Sequence, residues 1–147
     1  MRRRGAFLAA LLAASALGVS EASAQTRWSP WQPLANTVRV EQRGDNNGAA
    51  VSQIGEGNRG AVIQNGNGLT GIVRQNGDDN RALLHQRGNG SAAAITQNGS
   101  GNRMCLAQIG DNLNADVVQN GGDRAGIWVQ TPSGVRQHRG FGGRVCR

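Results

Sequence analysis

The residues of this chain that could take part in acid–base or nucleophilic chemistry form no recognisable catalytic set. The histidines are His85 and His138, and neither has a serine or cysteine nucleophile at a suggestive spacing. Asp78 and Asp79 are adjacent, but they follow Gly77 in a polar segment that is typical of a turn. We therefore expect no catalytic residues, no cofactor and no enzymatic activity.

The residue that recurs in register is glutamine, and stacked glutamine amides can hydrogen-bond to one another as they do in cross-β assemblies. Successive glutamines are eleven residues apart over eight intervals, without an insertion or deletion. A period this regular has to be interpreted before any local pattern. The series comprises Gln42, Gln53, Gln64, Gln75, Gln86, Gln97, Gln108, Gln119 and Gln130.

Other residue types keep the same period. Two residues after each of the first eight glutamines stand Gly44, Gly55, Gly66, Gly77, Gly88, Gly99, Gly110 and Gly121. Five residues after stand Asn47, Asn58, Asn80 and Asn102, and the altered positions, which predict weaker rungs, have Leu69, Ser91, Leu113 and Arg124. A small residue follows after seven in all but one case, and a large apolar residue follows after nine. The unit is therefore Gln-x-Gly-x-x-Asn-x-Ala-x-Val-x-Gln.

This unit predicts a strand followed by a turn. The small, apolar and glutamine positions are spaced by two, which places them on one face of a strand. Glycine and asparagine adopt the positive φ of turns readily. An eleven-residue period can also produce a helical coiled coil, but a glycine-rich turn in every unit argues strongly against a helix.

Two units form a rung of 22 residues, so alternate units stack in two facing sheets. The sequence thus predicts an all-β fold, a two-sheet β-solenoid or cross-β stack of eight strand–turn units in four rungs. Neighbouring rungs would lie about 4.8 Å apart. The glutamines would form one inward-facing stack in each sheet, which explains why the residue returns.

The ends of the chain do not follow the period. Three arginines, an apolar run at 6–19 and the small residues at 22–24 predict a secretory signal peptide over residues 1–24. Residues 25–41 form a non-repeat N-terminal segment, 42–130 the repeat domain and 131–147 a basic C-terminal tail. The apolar run of about 14 residues is too short to span a bilayer comfortably. The mature chain is therefore predicted to begin near Gln25 and to leave the cytoplasm.

The two cysteines are Cys105 and Cys146. With only two cysteines and no regular histidine spacing, we expect no metal site. An oxidising compartment permits a disulfide between them, which would hold the tail against the outer face of units six to eight. Pairing between different copies of the chain is the alternative.

The repeat resembles the curlin repeat of secreted bacterial curli fibre subunits. The pattern is matched almost to the letter from Gln42 to Gln53 and from Gln75 to Gln86, and the resemblance extends from Gln42 to Gln130. It implies a functional amyloid that passes through an outer-membrane export pore and forms an extracellular fibre, or fimbrium, attached to the bacterial surface, with a role in adhesion and biofilm matrix. The expected partners are the chain itself and other curlin-type subunits.

Within that family, the unbroken spacing, the basic balance and the arginine-rich end are most similar to the minor, nucleating subunit. A major, self-polymerising subunit is the first alternative, since major subunits can also keep the spacing. The cysteines depart from the family pattern. A β-solenoid adhesin that does not polymerise is the second alternative, and capped ends would favour it.

Open sheet edges at both ends of the stack would favour polymerisation, because their unpaired N–H and C=O groups can accept another strand. Arg59, Arg81 and Arg103 recur at 22-residue spacing and would stack on one side. Their repulsion would slow edge pairing, and the alternative is a stripe that binds an anionic cell-surface polymer. Interleaved aromatic residues are missing, so no specific nucleic acid is expected. The tail carries Arg136, Arg139, Arg144 and Arg147, a candidate surface tether.

Overall fold

The computed structural model of the chain describes residues 7–14 and 35–139, and every regular element in these ranges is a β-strand. Strands β2 to β10 alternate between two facing sheets and are parallel to their neighbours within each sheet, which confirms the predicted β-solenoid. The elements are β1 (Phe7–Ala14), β2 (Thr37–Arg43), β3 (Asn47–Ile54), β4 (Arg59–Asn65), β5 (Thr70–Asn76), β6 (Arg81–Arg87), β7 (Ala92–Asn98), β8 (Arg103–Ile109), β9 (Asn114–Asn120), β10 (Ala125–Thr131) and β11 (Gly134–Arg139).

Alternate strands stack in register. One sheet has the order β1-β3-β5-β7-β9, and the other has the order β11-β10-β8-β6-β4-β2. Each residue of a parallel strand pairs with the residue 22 positions later, so that Gln42 pairs with Gln64 and Val40 with Val62. The 22-residue rung therefore follows directly from two eleven-residue units.

The core lies between the two sheets. Its central column is formed by one large apolar residue from each of strands β2 to β9, and each of these side chains is at most 3% exposed: Val40, Val51, Val62, Val73, Leu84, Ile95, Leu106 and Val117. The neighbouring column has to stay small. A Cβ atom at Gly60 would lie 2.8 Å from Val51 Cγ1, and one at Gly71 would lie 2.9 Å from Val62 Cγ1. Burial of each large side chain contributes about 1.5–3 kcal/mol.

The turns require glycine because the backbones of successive rungs meet there. All eight turn glycines have positive φ, between +100° and +143°. A Cβ atom at Gly66 would lie 1.7 Å from the carbonyl oxygen of Gly88, a backbone atom in the next rung. Two residues after each turn glycine the chain again adopts the left-handed region, and Asp79 and Asp123 do so without being glycine. The sequence analysis did not single out this second position.

The two ends of the stack differ from the expectation that both are open. At the C-terminal end the chain reverses at Pro132, and β11 pairs antiparallel with β10. At the other end β1, which falls within the predicted signal peptide, pairs antiparallel with β3. Among the parallel strands β2 to β10, those with an outer edge that no described strand covers are therefore β2 and β9. Proline cannot donate to a sheet ladder, which accounts for the end of the parallel series after Thr131.

Candidate functional site

The glutamines of the sheet that contains β2 form one continuous chain of side-chain hydrogen bonds. Each Nε2 donates to the Oε1 of the glutamine 22 residues later, and every bond has the same direction. The N···O distance is 2.7 Å between Gln42 and Gln64, 2.9 Å between Gln64 and Gln86, 2.8 Å between Gln86 and Gln108, and 2.9 Å between Gln108 and Gln130. We call this series of hydrogen-bonded side chains the first glutamine ladder.

The second glutamine ladder lies in the facing sheet and has the same direction. Gln53 donates to Gln75 over 2.8 Å, Gln75 to Gln97 over 2.9 Å, and Gln97 to Gln119 over 2.8 Å. From Gln53 onwards each glutamine also donates its other amide hydrogen to a backbone carbonyl of the opposite sheet, as Gln64 Nε2 does to Gly48 over 3.0 Å. Both hydrogens and the oxygen of each interior amide are therefore hydrogen-bonded, which offsets the cost of burying this polar group.

The asparagines form a further ladder at one corner of the stack. The Oδ1 atoms of Asn36, Asn58, Asn80 and Asn102 accept from the backbone N–H groups 22 residues later, and each Nδ2 donates to a turn-glycine carbonyl 19 residues later. Asn36 was not among the predicted residues. Its position 22 residues before Asn58 is the signal that could have identified it.

The altered asparagine positions lie mainly at the opposite corner. There the series is Asn47, Leu69, Ser91 and Leu113, and all four side chains are buried. Ser91 forms the same two kinds of hydrogen bond as an asparagine at this position. Its hydroxyl donates to the Gly110 carbonyl over 3.1 Å and accepts from Leu113 N–H over 3.0 Å. Leu69 and Leu113 replace these polar bonds with apolar burial. The sequence analysis missed this division because it compared every unit rather than every second unit.

Both glutamine ladders begin with an unpaired acceptor. Gln42 is 3% exposed and Gln53 is 0% exposed, yet the Oε1 atom of each has no hydrogen-bond partner among the described residues. A buried amide oxygen without a donor costs about 1–3 kcal/mol. At the other end, Gln119 Nε2 and Gln130 Nε2 each form one described hydrogen bond, to a backbone carbonyl. Because a side-chain amide has two hydrogens, each of these groups has a second hydrogen to donate. One end of the stack therefore offers acceptors and the other offers donors.

The predicted arginine series lies in register on one side of the stack. Arg59 pairs with Arg81, and Arg81 pairs with Arg103, in consecutive strands of one sheet. They line a groove of about 680 Å³ that Asp79 and Asp123 also border. The ion pair found among the described residues lies elsewhere, between Arg39 and Glu41. The groove thus combines arginines at successive rungs with carboxylates.

The C-terminal residues of the predicted tether are only partly described. Arg136 is exposed on β11, and Arg139 ends that strand. Arg144 and Arg147 lie outside the described residues. Part of the predicted tail is therefore a strand of the sheet.

Cys105 is disulfide-bonded and fully buried, although it lies on the face of β8 that points away from the core. Ala107 and Ile127, which also face away from the core, are buried as well. Cys146, the predicted partner, lies outside the described residues. The pairing of Cys105 with Cys146 therefore stays a prediction.

His85 faces outward on β6, between Ile63 of β4 and Ala107 of β8. Burial lowers its pKa below the ordinary value of 6.5, and the charge of Arg87 lowers it further. The unfolded chain consequently binds a proton at a higher pH than the folded chain does. Stability should therefore be complete above about pH 6.5 and should fall as the pH drops through the lowered pKa of the folded state.

We expect the midpoint of denaturant unfolding to decrease between pH 7 and pH 5, and His85→Gln to remove most of this decrease. Circular dichroism across a pH series measures it. His138→Gln is the matched control, because it removes the other histidine and leaves His85 in place. A decrease that persists in His85→Gln would show that another group is responsible.

Among the described residues, no cluster of three or more His, Cys, Asp or Glu side chains is arranged to hold a metal ion. The same part of the chain contains no helix with the length and hydropathy of a membrane span. What the geometry provides is repetition of one layer, joined to the next by backbone and amide hydrogen bonds.

These features define a class, the repetitive β-solenoid whose layers are connected by buried side-chain amides. The family model of the Curlin associated repeat matches residues 35–66, 66–99 and 77–110, which together cover just over half of the chain. The chain therefore belongs to the family of curlin-repeat proteins. Comparisons with curated proteins and with solved structures gave no match.

Proposed function

We propose that this protein is a secreted structural subunit of an extracellular cross-β fibre of the curli type, and that it acts by self-association. The observation that carries the proposal is the unpaired buried acceptor at the start of each glutamine ladder. A second copy that supplies two amide donors there would satisfy both acceptors. It would also pair the uncovered edges of β2 and β9, which removes the cost of an open sheet edge.

The family supports this function, since curlin repeats are the repeats of curli fibre subunits. The predicted signal peptide supports export, and export through an outer-membrane pore is part of the proposal. Adhesion and a contribution to biofilm matrix would follow from a fibre at the cell surface. The arginine groove is the proposed contact for an anionic surface polymer.

The test is to dilute the chain beginning at Gln25 from denaturant and to follow dye binding over time. We expect a lag phase followed by growth, and we expect preformed fibres to abolish the lag. A soluble monomer with a cooperative thermal transition would contradict the proposal. It would establish instead a finished solenoid adhesin, the candidate that β11 favours because this strand covers the edge of β10.

The proposed role within the fibre is nucleation. Its support is the unbroken repeat and the arginine-rich C-terminal end. Mixing the protein at a low ratio with a major-type curlin subunit distinguishes the roles. A shortened lag is expected for a nucleating subunit, and an unchanged lag at every ratio would indicate a self-sufficient major subunit.

A further inference from the structure

The number of parallel strands in the stack is odd. Of the nine strands β2 to β10, five lie in the sheet that begins with β2, and four lie in the facing sheet. The series therefore starts and ends in the same sheet. If the eleven-residue period continued past β10, the next strand would be placed on β9, in the opposite sheet.

We propose that copies of this chain join end to end with a half-turn about the long axis of the stack, so that β2 of the incoming copy pairs with β9 and its β3 pairs with β10. This inference rests on the proposed function, because it specifies how the self-association occurs. Stacking without rotation would place β2 on β10. It would then leave a gap of one strand between β9 and β3, about 9.6 Å instead of 4.8 Å.

The half-turn extends both glutamine ladders. Gln119 would donate to Gln42 of the incoming copy, and Gln130 would donate to its Gln53. These are the two amides whose Oε1 atoms are buried and unpaired among the described residues. The bonds have the direction of every other bond in the ladders. In the unrotated arrangement only one of the two acceptors can be reached.

The same register brings opposite charges together on the outer face. When Gln119 pairs with Gln42, Asp116 of β9 lies opposite Arg39 of β2 in the incoming copy. Asp116 and Arg39 are both exposed, and within the described residues Asp116 forms no ion pair. Without the half-turn, Arg39 would instead lie opposite Ile127 of β10. Opposite charges across paired strands stabilise a sheet by about 0.2–1 kcal/mol.

The strands at the two ends determine when this junction can form. No described strand covers the outer edge of β9 or of β2, whereas β1 occupies the edge of β3 and β11 occupies the edge of β10. Removal of the predicted signal peptide would take β1 away. The incoming β3 then has to displace β11 from β10, exchanging an antiparallel hairpin for a parallel strand that continues the glutamine ladder.

Pyrene labels can measure the junction directly, because two pyrenes emit as an excimer only when they are in contact. Variants of the chain beginning at Gln25 that each carry one added cysteine are labelled without reduction, so that the disulfide of Cys105 stays closed, and are assembled as equal mixtures. Glu41→Cys is mixed either with Val118→Cys or with Val129→Cys, all three of which lie outside the inward columns. Fibres of each variant alone serve as blanks for contacts between neighbouring fibres.

The half-turn predicts strong excimer emission from the mixture with Val118→Cys and only the blank level with Val129→Cys. The reverse result would establish unrotated stacking and overturn the inference. Emission from both mixtures or from neither, in fibres that have formed, would also overturn it, because the junction would then lack the proposed register. Failure of every variant and of the unlabelled chain to form fibres would contradict the proposed function itself.

Charge reversal supplies a second measurement. Asp116→Arg and Arg39→Asp should each slow elongation several-fold, since each places like charges across the junction. The double variant should recover most of the rate. A double variant that is as slow as the single variants would show that these residues do not meet. High salt should reduce all three effects.

Discussion

Replacing Gly66 with alanine is expected to prevent the chain from forming its solenoid and, with it, any fibre. Gly66 has φ of +143°, which an L-residue rarely adopts, and an added Cβ atom would lie 1.7 Å from the Gly88 carbonyl oxygen. Backbone strain of this kind costs about 1–3 kcal/mol before the steric overlap is counted. Because the overlap is with backbone, no side-chain rotation can relieve it. Far-UV circular dichroism and dye binding after dilution from denaturant measure the loss.

The matched control is Gly48→Ala. Gly48 lies in β3, its φ is not in the positive range, and no heavy atom lies within 4 Å of the position that a Cβ atom would take. Alanine there should leave assembly unchanged or stabilise it slightly, by about 0.4–1 kcal/mol through the unfolded chain. Equal behaviour of the two variants would show that the turns do not stack as described.

Gln86→Leu is expected to have the second-largest effect, since leucine has a similar size but no amide. Gln86 accepts from Gln64 and donates to Gln108, and it is 0% exposed. The substitution leaves the Gln64 donor hydrogen and the Gln108 acceptor unpaired, which costs about 2–6 kcal/mol at about 1–3 kcal/mol each, and it also removes the bond to the Thr70 carbonyl. This is a large part of the stability of a typical domain, about 5–15 kcal/mol. The guanidinium midpoint of assembled protein measures it.

Gln137→Leu is the control for this prediction. Gln137 is exposed on β11 and takes part in neither glutamine ladder. A substitution there should change stability by no more than about 0.5 kcal/mol. If Gln86→Leu were equally mild, the ladders would be a consequence of the fold and not one of its causes.

The parallel strands of the fold could be predicted because one period determines them. A glutamine at every eleventh position specifies an inward position, and the glycine two residues later specifies a turn. Pairing residues 22 positions apart then follows without any knowledge of tertiary contacts. The eight predicted units correspond to β3 to β10, and the ninth parallel strand is β2, which begins at Thr37 in the segment predicted to lie outside the repeat.

The ends and corners could not be predicted in the same way. The reversal at Pro132 forms β11, which breaks the period, and its antiparallel pairing depends on the free edge of β10 rather than on a local pattern. The exchange of asparagine for Ser91 and leucine at one corner becomes visible only when alternate units are compared. The unpaired Oε1 atoms of Gln42 and Gln53 depend on the direction of the amides, which composition and spacing do not reveal.

We propose that the chain polymerises by continuing its own layers. The most direct measurement is fibre diffraction from aligned product of the chain beginning at Gln25. We expect a meridional reflection near 4.8 Å from strands perpendicular to the fibre axis and an equatorial reflection near 10 Å from the two packed sheets. A product without this pair of reflections, or a chain that stays monomeric and unfolds cooperatively, would contradict the claim.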